Sequence, residues 1–452
     1  MAIVQKDGFS SKFGVIAAAA GSAVGLGNIW RFPYITGENG GGAFLILYVF
    51  FVIVIGVPVM MSEFVIGRRS ESNALGSFRK LAPGTPWWLI GLMGIIAAFV
   101  ILSFYSTVSG WTLEYVFQSI NQGFTGKSMN QLNIDFVTFT SGSFRPLLWQ
   151  MIFMLLTAAV VMCGVQKGIE KATKILMPML LVLIIAVCIR SVTLTGASEG
   201  LRFLFEPHFE KLTFKAVLMA LGQAAFSLSI GMGALITYGS YIKKDTPLLS
   251  TSIQVASADT ILAILSGIMI FPALFALGVG NTGGPGLVFV TLPAIFQSMP
   301  GGSIFAIVFF LLISVAALTS TISVLEVVVA YLKQEFNMSR LKATILGTVS
   351  ISILGVFCTL SFGPLKHVTI FGKTVFDLMN YLSANVFLTF GALFIVIFTG
   401  WKLGKSSFVD ELNQSGKINP IVTNVIVFII KFIAPLAIAA IAIGAFFIEG
   451  LT

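Results

Sequence analysis

Charge is what this sequence has least of. Asp, Glu, Lys and Arg make up 10% of its 452 residues, against about 25% in an ordinary soluble domain. Hydrophobic residues make up 57%. No soluble core absorbs that much apolar sequence, so the chain reads as a polytopic membrane protein. Cysteine is nearly absent. Cys163, Cys188 and Cys358 are far apart and lie in or beside apolar stretches, which excludes a disulfide framework. The two histidines, His208 and His367, fall in predicted loops, which argues against histidine-based zinc chemistry. No signal peptide is visible, because MAIVQKDGFSSKFG runs directly into the first apolar stretch.

The net charge of +9 does not call for nucleic acid. Its basic residues collect in alternate loops: Arg68, Arg69, Arg79 and Lys80; Lys167, Lys171 and Lys174; Lys243 and Lys244; Lys333, Arg340 and Lys342; Lys402, Lys405 and Lys417. That is the positive-inside pattern, and it reports topology. We read eleven spans of roughly 20 or more residues, over 13–37, 42–67, 86–119, 147–164, 168–190, 214–241, 248–280, 303–335, 341–362, 375–401 and 418–449. The N-terminus is then cytoplasmic and the C-terminus outside. Lys431 is placed at the cytoplasmic interface, with the last span proper starting near Phe432. The extracellular stretches 120–146 and 191–213 are too short for a domain. The Gly/Pro-rich stretch 281–302 reads as a lid loop that dips toward the membrane.

The chain is organised around GSAVGLGNIWRFP, residues 21–33. Gly21, Gly25 and Gly27 fall in the middle of an apolar span, and each costs a helix interior about 1 kcal/mol. Asn28, Arg31 and Pro33 follow inside the same span. Broken backbone at membrane depth survives only where it lines a buried or water-filled site; a glycine-rich packing face with a proline kink is the other reading. Span six repeats the theme in AFSLSIGMGALITYGSY, with Ser227 and Ser229 beside Gly231 and Gly233. Two glycine-interrupted spans, five apart, point to an inverted repeat with a site near the midplane. Spans one to five (13–190) form one half, spans six to ten (213–401) the other, and 418–449 lies outside both.

Three further features carry chemistry. Ala316, Thr319 and Ser320 share one face of span eight. Their hydroxyls either join freed carbonyls in an oxygen cage or simply bond the preceding turn. Asp259 sits in IQVASADTILAILSG with no basic residue near it. At membrane depth such an acid is either a hydrogen-bonded structural group or a cation ligand. Gly168 and Pro178 bracket the start of span five, where Pro178 frees a carbonyl or merely kinks the helix. One buried acid and no repeated filter sequence argue against a channel. The lack of an acid partner for Asp259 argues against an intramembrane protease, so the chain is not read as an enzyme.

Together these stretches resemble the neurotransmitter:sodium symporter family, in its bacterial amino-acid branch. GSAVGLGNIWRFPYITGENGGGAF, AFSLSIGMGALITYGSY, GPGLVFVTLP and ALTSTIS occur in the family's order. The resemblance implies an all-α polytopic fold with a 5+5 inverted repeat, broken helices one and six, and an eleventh span. It implies two sodium sites. The first uses the Ala23 carbonyl, Asn28, Ser227, Asp259 and the substrate carboxylate. The second uses the carbonyls of Gly21, Val24 and Ala316 with the hydroxyls of Thr319 and Ser320. It implies a substrate pocket of Ser22, Ala23, Leu26, Gly27, Ile101 and Tyr105 on one side, and Phe226, Ser227, Ser229, Met232, Ser320 and Val324 on the other. Tyr105 would meet the substrate carboxylate and Phe226 would lie over the substrate. Gly168 and Pro178 match a motif linked to unwinding of the fifth helix on release of the inner sodium.

Monoamine-carrying relatives have an aspartate where this chain has Gly25, so a ligand bringing its own carboxylate is expected. The apolar wall and Met232, a flexible side chain where a relative has phenylalanine, favour large aliphatic or aromatic L-amino acids; small neutral amino acids are the alternative substrate. A sodium-dependent sensor that does not transport is the alternative function. Tyr48 and Gln223 match chloride-site positions, but Asp259 places a fixed negative charge there, so chloride should be dispensable. The gates depart from the family. Arg31 matches the outer gate, yet its partner position reads Asn380, with Asp377 one turn earlier as a substitute. At the inner gate Lys6 and Phe9 replace the usual arginine and tryptophan, the acidic position reads Gln334 beside Glu335, and Tyr241 matches the supporting tyrosine. The expected setting is a bacterial cytoplasmic membrane, with the lipid bilayer and an amino acid as partners, no nucleic acid, and a monomer or weak dimer.

Overall fold

The computed structural model describes residues 8–276, 278, 286–297 and 301–447. It is an all-α bundle. Among the described residues, nine helices are long and apolar enough to cross a bilayer: Gly42–Ser70, Trp88–Ile120, Phe144–Met162, Val165–Val192, Leu248–Ala276, Gly302–Glu335, Arg340–Leu360, Val375–Ser415 and Pro420–Gly444. They are spans two to five and seven to eleven. Span one is a bent pair, Lys12–Ala23 and Gly27–Glu38, whose axes meet at 55°. Span six is also broken, into Phe214–Ser227 and Ala234–Gly239. Neither piece crosses a membrane alone, because a complete span needs about 20 residues.

Helix starts follow their caps. Ser11 accepts from the Gly14 N–H at 3.0 Å, and Thr213 accepts from the Ala216 N–H at 3.1 Å. Each satisfies one of the donors a helix N-terminus leaves open. The interior is close-packed where small residues let backbones meet. A Cβ on Gly67 would lie 2.0 Å from the Ile236 carbonyl oxygen, so span two touches the second half of span six only because residue 67 has none. Outward faces stay apolar: Ile53, Val182, Ile189 and Leu436 are all exposed, as lipid contact requires. Two buried charges are paired. Arg68 bonds Glu411 at 2.7 Å, with Lys244 on the same carboxylate at 3.1 Å. Glu114 takes Arg145 at 2.6 Å and the Trp149 indole N–H.

Several sequence expectations need correction. The last span starts at Pro420 rather than near Phe432. Lys431 rests its ammonium over the Trp401 ring at 4.4 Å, beside the end of the preceding span. The stretch 281–302 is not a plain loop. It carries an apolar helix, Leu287–Gln297, whose Phe289 is buried among Trp30, Trp111, Tyr115 and Phe310; residues 281–285 and 298–300 lie outside the described residues. The stretches 120–146 and 191–213 contain the helices Met129–Ser141 and Ala197–Phe205. An antiparallel hairpin pairs Thr369 with Thr374 and Ile370 with Lys373 between spans nine and ten.

Candidate functional site

The two breaks face each other. Span one leaves the helix at Val24, which is extended (φ −74, ψ 110), and resumes at Gly27. In span six the chain turns through Ser229 (φ 56), Gly231 (φ 89) and Gly233 (φ 75). A Cβ on Gly231 would meet the Leu388 carbonyl oxygen at 2.4 Å, so glycine is required there twice over. Ser229 adopts a positive φ without being glycine, a conformation that costs of order 1 kcal/mol or more. Its hydroxyl donates to the Ser22 carbonyl at 2.8 Å, tying one break to the other. Glu63, fully buried on span two, accepts from the Gly231 N–H at 2.7 Å and fixes the second break from behind.

Asp259 is wholly buried at the centre of this region. Its Oδ1 accepts from Asn28 Nδ2 at 2.7 Å. Its Oδ2 accepts from Ser227 Oγ at 2.5 Å and Tyr48 OH at 3.0 Å. Asn28 also donates to Ser227 Oγ at 3.0 Å, and its Oδ1 accepts from the Gly25 N–H at 3.3 Å. Among the described residues no lysine or arginine pairs with Asp259. Three hydrogen bonds thus hold the Asp259 carboxyl group. The predicted first set, Ala23, Asn28, Ser227 and Asp259, is therefore joined at its three side chains. Tyr48 is an additional partner that the anion-site resemblance had marked.

The predicted second set is also drawn together. Ser320 Oγ donates to the Val24 and Ser22 carbonyls, both at 3.2 Å. Thr319 Oγ1 donates to the Ala316 carbonyl at 2.9 Å, and Gly21 packs against Thr319, with a Cβ there 3.2 Å from the threonine's own. Thr319 is thus back-bonded within its own helix, while Ser320 bonds across to the first break. Every donor in both sets is oxygen, which suits a hard cation. Among the described residues no group of three His, Cys, Asp or Glu is placed to hold a transition metal.

Around the breaks lies the predicted pocket. Tyr105 OH accepts from the Leu26 N–H at 3.1 Å. A Cβ on Gly25 would lie 2.6 Å from Ser320 Oγ and 2.9 Å from Tyr105 OH. A Cβ on Gly27 would lie 2.9 Å from the Phe226 ring. Ser22, Ala23, Leu26, Ile101, Ser227, Ser229, Met232, Ser320 and Val324 are buried, while Tyr105 and Phe226 are half-buried. Arg31 lies over the Phe226 ring, 4.7 Å from its centroid, and bonds Gln223 Oε1 at 3.1 Å.

The gates differ from expectation. The structure does not bring Asp377 to Arg31. Asp377 is exposed and spends its carboxylate on Thr374 at 2.7 Å, at the start of the helix Val375–Tyr381, and Asn380 is exposed as well. Arg31 has cation–π and amide partners instead of an ion pair. At the inner end Gln334 is turned to Asn73, accepting from its N–H at 2.6 Å and its Nδ2 at 3.0 Å. Glu335 pairs with Arg79 at 2.8 Å. Lys6 lies outside the described residues. The acid that meets Tyr241 is Glu326, fully buried, which takes the Tyr241 hydroxyl at 2.7 Å and Arg340 at 2.5 Å. Sequence reasoning missed Glu326, although an acid in an otherwise apolar run, SVLEVVVA, is the same signal that singled out Asp259. Phe9 packs edge-on to Tyr238 and Tyr241 and donates its N–H to the Tyr241 carbonyl at 3.1 Å.

Comparison with known proteins agrees with this geometry. The sequence profile described as the sodium:neurotransmitter symporter family matches residues 6–136 and 134–449. A sodium-dependent transporter of Bacillus subtilis is 40% identical over 430 residues, covering 95% of each chain. One from Haemophilus influenzae is 37% identical over 98% of this chain and 99% of its own. The bovine sodium-dependent dopamine transporter is 27% identical over 91% of this chain and 65% of its own length. The crystal structure of MhsT in complex with L-phenylalanine superposes with a TM-score of 0.90 at 48% identity, covering 97% of this chain and 99% of that one.

Proposed function

Since the chain belongs to the sodium:neurotransmitter symporter family and is a sodium-dependent symporter, we propose that its cargo is a hydrophobic L-α-amino acid, large aliphatic or aromatic, carried with two sodium ions and without chloride. The observation that carries the reading is Gly25. A side chain there would collide with Ser320 and Tyr105, so the pocket has no room for a fixed acid and the ligand must supply the carboxylate. That carboxylate would meet the Tyr105 hydroxyl and the backbone N–H groups at the first break, and would complete the first sodium set of Ala23, Asn28, Ser227 and Asp259. Gly21, Val24, Ala316, Thr319 and Ser320 would hold the second sodium. MhsT, similar along nearly its whole length, holds L-phenylalanine, which supports a pocket of aromatic size here. Chloride is dispensable because the Asp259 carboxylate already takes the Tyr48 and Ser227 hydroxyls, the donors an anion would use. In this reading the chain sits in a bacterial cytoplasmic membrane with its N-terminus inside, its halves are 13–190 and 213–401, and 418–449 is accessory.

Two sodium ions entering with a zwitterion carry two charges, worth about 4.6 kcal/mol at about 100 mV. At about 1.4 kcal/mol per tenfold the potential alone supports roughly thousandfold accumulation. Coupling follows because one ion shares the substrate as ligand and the other joins spans one and eight. The test is uptake of labelled L-tryptophan, L-leucine and L-alanine into proteoliposomes under an inward sodium gradient, with potassium as control. Accumulation of the two larger residues over alanine is the expected result. Alanine alone would keep the symporter and discard the pocket reading. Sodium-dependent binding without uptake would point to a sensor.

A further inference from the structure

Lys431 is a charge that the proposed cycle leaves unused. It stands in the apolar run VFIIKFIAPL, residues 427–436, within the span Pro420–Gly444. Among the described residues no carboxylate pairs with it. Glu411, the buried acid of the helix Gly404–Leu412 that follows span ten, is spent on Arg68 and Lys244. The backbone fixes where the ammonium goes. A Cβ on Gly400 would lie 3.1 Å from the Lys431 Cα, so spans ten and eleven meet backbone to backbone here. Both carry a π-turn at the contact, Phe398–Leu403 and Ile429–Ile433. Pro435 has no N–H for the Lys431 carbonyl one turn earlier, and the Trp401 indole N–H donates to that carbonyl at 3.2 Å. The bond pins the ring, and the Lys431 ammonium sits over it, 4.4 Å from the Trp401 centroid and 5.5 Å from that of Phe432.

This cluster faces outward. Trp401 is 59% exposed, Phe428 54% and Phe432 42%. Phe428 lies 5.3 Å from Phe432, centroid to centroid, so the aromatic shelf continues along span eleven to the exposed Val425. Lys402 and Lys405 are exposed just beyond Trp401. A lysine turned to lipid reaches for the head groups, and tryptophan prefers the same level. A ring face is a partial counter-charge, whereas an anionic oxygen makes a charge-assisted hydrogen bond with an ammonium N–H. We propose that Lys431 and Trp401 form a head-group site for an anionic phospholipid, with its phosphate on the Lys431 ammonium and one acyl chain along Phe432, Phe428 and Val425. The neighbouring charges select the lipid class. A choline head group brings its own cation, which Lys402 and Lys405 repel; a glycerol head group brings none.

The test reconstitutes the full chain in vesicles that mix phosphatidylcholine with phosphatidylglycerol, with brominated chains on one lipid or the other, and reads the quenching of tryptophan fluorescence. It needs neither sodium nor substrate, so it stands apart from the transport reading. The share due to Trp401 is the difference between the parent and Trp401→Phe. At that ring phosphatidylglycerol should be favoured roughly tenfold, the factor that one charge-assisted hydrogen bond supplies. Lys431→Gln should bring the two lipids level, Lys431→Arg should keep the preference, and the double variant Lys402→Gln with Lys405→Gln should keep most of it. Mass spectrometry of the detergent-solubilised chain, which needs no Trp401 variant, should find phosphatidylglycerol retained by the parent and lost from Lys431→Gln. Equal quenching by the two lipids in the parent, or a preference that survives Lys431→Gln, would overturn the site. So would a preference that vanishes in the double variant, which would reduce it to general attraction by surface charge. Displacement of the lipid by inorganic phosphate would overturn it too, in favour of a free anion.

Discussion

Asp259 makes three hydrogen bonds and no ion pair among the described residues, so its charge is compensated by oriented donors and, in the proposed cycle, by a cation. An isosteric change separates shape from charge. In Asp259→Asn the cavity stays filled, but the fixed negative charge is lost. The half-saturating sodium concentration should rise roughly tenfold or more, as loss of an opposite charge a few ångströms from an ion in a poorly screened site implies. Chloride should then stimulate uptake that it leaves unchanged in the parent. Sodium titrations of uptake, with gluconate replacing chloride at fixed ionic strength, measure both. An unchanged sodium dependence would remove Asp259 from the ion's surroundings and leave it a structural acid.

The elements of the bundle are held in register where backbones touch. Span two packs on the second piece of span six through Gly67, and also at Gly239, where a Cβ would lie 2.9 Å from the Phe64 carbonyl oxygen. The six-residue helix Ala234–Gly239 is too short to be stable alone and depends on that contact. Gly67→Ala forces the two apart. It should cost about 1–3 kcal/mol, the usual cost of overpacking, read as a lower unfolding midpoint in detergent. The bend of span one and the break in span six have a different origin. They place carbonyls and N–H groups at mid-depth, where helix ends favour opposite charges.

At the scale of the whole molecule both ends of the path are covered. At one end Arg31 lies on Phe226; at the other, Phe9 and the Glu170 contacts hold the segment before the first helix. An ion-coupled cycle through such a body moves net charge. A potassium diffusion potential, negative inside, should therefore raise substrate accumulation with sodium equal on both sides. For two charges, 100 mV corresponds to roughly three orders of magnitude at equilibrium. Accumulation that follows the sodium gradient but ignores the potential would require a compensating charge to leave in each turnover.

Membrane class, the long apolar spans and the two broken helices were legible because they depend on local properties. Apolar length decides what crosses a bilayer, and three glycines in seven residues decide where a helix opens. Asp259 was legible by the same logic, as a charge in a run that should have none, and its sodium role rested on resemblance. The partners were not legible. That Arg31 stacks on Phe226 instead of meeting Asp377, that Gln334 turns to Asn73, that Glu326 takes Tyr241, and that Glu170 gathers Ser10 and Ser11 from 160 residues away are long-range choices. Hydrogen bonds act over about 3 Å, so they are settled by how helices pack and not by spacing along the chain. The sequence by itself determined where this protein breaks its helices and which charges it buries; only the tertiary structure decided which side chains those charges meet.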